Sequence, residues 1–73
     1  MSGEEKYDAK TFRMYIKAAN EARRTSPIAA YFLISYTINK SMEFLQNQRN
    51  RGQDDPELGN DVQSWFPLLD EIQ

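Results

Sequence analysis

The chain has no cysteine and no histidine among its 73 residues. The first absence excludes a disulfide framework. Together they remove the usual ligands of structural zinc. The missing histidine also leaves every serine and threonine without the common base that activates a hydroxyl nucleophile. Glycine is scarce, with only 3 in the chain, and none forms a phosphate-cradling loop. Asp54 and Asp55 read as a solvated loop residue and a helix cap rather than a metal or acid–base pair, and Lys40 with Glu43, one helical turn apart, as a solvated pair. The residues therefore predict no enzyme, no metal and no cofactor.

A membrane-spanning run is missing as well. The most apolar stretch, TSPIAAYFLISYTIN at residues 25–39, carries no charge over 15 residues. As a helix it would rise about 22 Å, against a hydrocarbon core of about 30 Å, and it contains Ser35, Thr37 and Asn39. The amino-terminal MSGEEKYD lacks the apolar segment of a signal peptide. No transmembrane segment and a cytoplasmic location are expected. The net charge of −2 gives no support for nucleic-acid binding.

What charge there is, is polarised. Between Lys10 and Arg24 stand 5 basic residues and 1 acidic; from Asp54 to Gln73 there are 6 acidic residues and no basic one. A chain of this length makes one small domain. Without a staple, its stability rests on efficient helix packing or on a neighbour in a longer protein.

The patterning predicts an all-α, antiparallel three-helix bundle over residues 7–73, behind a disordered tail at residues 1–6. Asp8 is a plausible cap for a first helix reaching about Arg24, with Phe12, Tyr15, Ile16, Ala19 and Ala22 on one stripe. Ser26 then caps and Pro27 opens a second helix that runs to about Arg51, where Gly52 ends it. Asp55 and Pro56 repeat the device, and Glu57 favours the positive end of the helix dipole. The third helix presents Leu58, Val62, Trp65, Phe66, Leu69 and Ile72. Pro67 should bend it, or restart it with Ser64 as a new cap.

Placing the second helix at 100° steps gives two uncharged faces. One holds Ile28, Tyr31, Ser35, Ile38, Met42 and Leu45 and is assigned to the core. The other holds Ala30, Leu33, Thr37, Ser41 and Phe44. Its small residues between large ones suggest a shallow track for an amphipathic helix from another protein. The plainer alternative is a middle helix touching two neighbours, in a purely structural bundle that packs on its own chain or on a missing domain.

The run Ser26-Pro27-Ile28-Ala29-Ala30-Tyr31-Phe32, followed by Tyr36, resembles the second-helix signature of the N-terminal domain of the Vta-one family, which reads close to D-P-V-V-A-Y-Y and then Y-A. FRMYIKAANEARR is similar to that family's first helix and DPELGNDVQSWFPLLDEIQ to its third, so the resemblance covers residues 12–73. Ser26 stands where the family carries aspartate, and Gly59 and Pro67 are unusual for its third helix. The resemblance implies a MIT (microtubule interacting and trafficking) module from a longer protein. Such modules bind the helical C-terminal tails of ESCRT-III subunits. The family's members are cofactors of the Vps-four ATPase in multivesicular-body sorting; they engage that ATPase through a region absent here and act at endosomal membranes through partners. One tail groove of MIT modules lies between the second and third helices. The partner-binding residues expected are Ala30, Leu33, Thr37, Lys40, Ser41 and Phe44, with Val62, Phe66, Leu69 and Asp70 opposite.

Overall fold

Two prolines set where the longer helices begin. A computed structural model describes residues 9–72. It contains α1 (Ala9–Ala22), α2 (Pro27–Asn50) and α3 (Pro56–Ile72). The expected tail at residues 1–6 and the expected cap Asp8 lie outside the described residues.

Each junction satisfies backbone groups that a helix end leaves open. Ser26 is extended (φ −145°, ψ 91°), and its Oγ accepts from the Ala29 N–H at 3.3 Å. Asp55 does the same for α3, its Oδ1 accepting from the Leu58 N–H at 3.1 Å. At the far end of α2 the Gln53 N–H reaches the Gln48 carbonyl at 2.7 Å, and the Gly52 N–H reaches the Arg49 carbonyl at 2.9 Å. That pairing is a Schellman motif, which needs a left-handed residue after the cap. Gly52 supplies it with φ 78°.

The third helix runs unbroken through Pro67. Ser64 does not restart it; its Oγ donates to the Asp61 carbonyl at 2.6 Å instead. Proline removes one ladder bond, here the one to the Gln63 carbonyl. Both Gln63 and Pro67 lie on the exposed side of α3.

The core joins Phe12, Ile16 and Ala19 of α1, Ala30, Ile34 and Ile38 of α2, and Leu58, Val62 and Trp65 of α3. Both outer helices pack mainly on α2. With short connections the neighbours are antiparallel, giving a three-helix bundle of 39 × 28 × 14 Å. The 24 residues of α2 rise about 36 Å, nearly the full length of the molecule.

On α2 the assignment of faces is corrected in part. Ile38 is buried as expected, but Ala30, Thr37 and Ser41, expected outside, are fully buried, whereas Ile28 and Met42, expected inside, are 70% and 49% exposed. The physical reason is helix approach. Small side chains on the middle helix let two neighbours come close, and the large side chains of those neighbours fill the space above them.

Candidate interaction surface

The small-residue track of α2 is filled by the chain itself. Thr37 Oγ1 donates to the Leu33 carbonyl at 2.8 Å, which settles its hydroxyl inside the bundle. Ser41 Oγ is buried with no hydrogen-bond partner among the described residues. Phe44 is half-buried, its ring edge-on to Phe12 at 5.7 Å between centroids and 74° between planes. Leu33 packs partly buried against the core, as does Leu69 on α3, and Val62 lies within it. Lys40 pairs with Glu43 at 3.7 Å and sits 5.8 Å from the Tyr36 ring centre. Of the expected binding residues, Phe66 (42% exposed) and Asp70 face solvent on α3.

The open apolar surface lies elsewhere on α2. Ile28, Phe32 and Tyr36 follow one another at four-residue steps, so they form a single stripe. Phe32 is 65% exposed. At its start, Pro27, Ile28, Tyr31 and Phe32 line an open notch closed on one side by Ile72 of α3. The rings of Tyr31 and Phe32 meet edge-on at 6.1 Å, which holds the wall of the notch. Met42 continues the exposed apolar residues toward the far end of the helix. Assigning Ile28 to the core face hid this stripe. The usable signal was the spacing of Ala30, Thr37, Ser41 and Phe44, a close-packing seam that leaves the larger side chains on the flank.

Charge polarity is used in part within the fold. Arg13 Nε donates to Asp61 Oδ2 at 2.6 Å, and Arg23 Nη2 meets Glu71 Oε1 at 3.4 Å. The hydrogen bond to Asp61 pushes the Arg13 guanidinium above its ordinary value, outweighing partial desolvation, and the charges of Asp61, Glu57 and Asp55 add to it. Lys17 and Glu21 stand four residues apart on α1, but no ion pair joins them. Asp54, in its loop, faces Arg49 at 4.0 Å. Among the described residues, no group of three or more histidine, cysteine or acidic side chains could hold a metal ion, and no helix is long and apolar enough to cross a membrane.

No family model, curated protein or solved structure matches the chain.

Proposed function

We propose that this bundle is a protein-interaction module that receives an amphipathic helix from a partner along the exposed flank of α2. The observation that carries the reading is the pair Ile28 and Phe32, 70% and 65% exposed, one turn apart in a segment without charge. Burying side chains of this kind contributes about 1.5–3 kcal/mol each. A partner helix presents apolar residues at the matching three- and four-residue steps. A contiguous apolar stripe of this sort marks an interaction site more often than an isolated exposed residue does.

The resemblance to MIT modules supports the same reading, because the residues that carry it include the exposed Ile28, Phe32 and Tyr36 and also Tyr31, which lines the notch. On this reading the partners are ESCRT-III C-terminal tails. The longer protein is then a regulator of the Vps-four ATPase, recruited to endosomal membranes by its partners. Binding centres on the notch formed with Ile72, and Phe66 and Asp70 on α3 are available to a longer ligand.

The test is a titration of the isotope-labelled chain with a panel of ESCRT-III tail peptides, followed by NMR. Saturable shifts centred on Ile28, Tyr31, Phe32 and Ile72 are expected. Silence across the panel, or shifts centred elsewhere, overturns the proposal. Protection of Ile28 and Phe32 by a neighbouring domain in a longer chain, without peptide, would make the stripe a structural interface instead.

A further inference from the structure

The turn between α1 and α2 reads Arg23-Arg24-Thr25-Ser26-Pro27. Two guanidiniums stand three and two positions before a serine, and a proline follows it. The fold leaves this segment open. Arg24, Thr25 and Pro27 are exposed, and Ser26 is half-buried. Ser26 is extended, at φ −145° and ψ 91°, as the proline after it favours. Its Oγ accepts from the Ala29 N–H at a long 3.3 Å. Arg23 is loosely held too: its guanidinium meets Glu71 Oε1 at 3.4 Å and Asn20 Oδ1 at 3.4 Å.

We propose that Ser26 is a phosphorylation site for a serine kinase that reads arginine before the hydroxyl and proline after it, and that the added phosphate draws Arg23 away from Glu71. The sequence around the hydroxyl selects the modification, and the start of α2 decides only what the phosphate then does. A kinase groove takes its substrate extended, the conformation Ser26 already has. Carboxylates in such a groove pair with guanidiniums through a fork of two hydrogen bonds. Proline brings no N–H that would need an acceptor there. In the transfer, Ser26 Oγ attacks the γ-phosphorus of ATP. The new bond joins Oγ to phosphorus, the bond from that phosphorus to the bridging oxygen of ADP breaks, and the hydroxyl proton passes to the kinase's catalytic base. The product carries nearly two negative charges at neutral pH. A phosphate oxygen takes over as acceptor for the Ala29 N–H, and the positive end of α2 favours the charge. Arg23, three residues back, exchanges a single exposed carboxylate for a dianion. Glu71 is then released beside Ile72, the α3 wall of the notch.

The experiment treats the full chain with magnesium, ATP and an arginine- and proline-directed serine kinase, and places the phosphate by mass spectrometry. One phosphate on Ser26 of the folded chain is expected. Arg23→Gln combined with Arg24→Gln should slow its addition about ten-fold or more, with a nearly unchanged thermal melt. A synthetic peptide of residues 20–30, phosphorylated in the same way, is the reference for a site free of the fold. Phosphorus NMR should show the phosphate of the folded chain losing its second proton at lower pH than that of the peptide. Arg23→Gln, phosphorylated to completion, should remove most of that difference. Phosphate on Thr25 instead, modification of the peptide but not of the folded chain, a rate indifferent to the arginines, or equal titration of chain and peptide would overturn the proposal.

Discussion

Arg13 and Asp61 lie 48 positions apart in the chain and 2.6 Å apart in space. Ten residues further along the chain from each, Arg23, just past the end of α1, and Glu71 of α3 repeat the contact at 3.4 Å. Equal steps on the two helices mean that α1 and α3 run parallel, in register, with α2 antiparallel to both. Apolar contact holds each outer helix to α2, and ion pairs bridge the outer helices to each other. Both Arg13 and Asp61 remain partly exposed, so solvent screens the pair. A double-mutant cycle with Arg13→Ala and Asp61→Ala should give a small favourable coupling that shrinks as salt rises from about 0.05 to 0.5 M. Thermal melts at both salt levels measure it, and a salt-independent coupling would mean that the pair acts through packing.

Ser26 is the only side-chain link between the start of α2 and its open N–H groups seen among the described residues. Ser26→Ala should cost about 1 kcal/mol. Ser26→Asp should be neutral or stabilising, since aspartate both caps and favours the helix dipole. Thermal unfolding of the two variants decides the point. An alanine variant as stable as the parent would show that the 3.3 Å contact contributes nothing.

Helix existence and ends were legible because local chemistry writes them. Ser26-Pro27 and Asp55-Pro56 act within one turn, and α2 and α3 begin at the expected residues. The stripes of α1 and α3 were largely legible for a similar reason, because apolar periodicity names the neighbour-facing side of each outer helix; the exception is Phe66, expected on the α3 stripe and 42% exposed. The middle helix was not. Its two flanks are both uncharged, and hydropathy does not distinguish a small residue admitting a close neighbour from one lining an open groove. Only the seating of Phe12 against Phe44 decides between them. The continuity of α3 through Pro67 was not legible either, because the exposed position of Gln63 and Pro67 is likewise tertiary information.

Ser41 offers a way to raise stability. Its hydroxyl is fully buried and unpartnered among the described residues, so it carries a desolvation penalty of about 1–3 kcal/mol with no bond to offset it. Alanine removes that oxygen and is the better helix former by up to about 0.7 kcal/mol. A small cavity opposes part of the gain. Ser41→Ala should therefore stabilise the bundle by about 1 kcal/mol, read as a rise in denaturation midpoint at constant slope. Destabilisation would reveal a partner for the hydroxyl.

The sharpest contrast lies between Thr37 and Phe32, both in the uncharged stretch and on opposite sides of α2. Thr37 is wholly buried, and Phe32 is 65% exposed. A carboxylate at position 37 would have no cation within the core, and burying an unpaired charge costs several kcal/mol. A domain of this size holds only about 4–11 kcal/mol in all. Thr37→Asp should therefore unfold the chain, with loss of its helical circular dichroism. Phe32→Asp places the same charge in water, so the melt should stay within about 0.5 kcal/mol of the parent. That variant should nevertheless lose affinity for a helical ligand on the α2 flank by about ten-fold or more, because the charge must then be desolvated on binding. Ile38→Ala serves as the control for burial and should cost about 2–5 kcal/mol. If Thr37→Asp folded normally, the inner face of α2 would be open after all. If Phe32→Asp unfolded, the stripe would be part of the core and the proposed site would not exist.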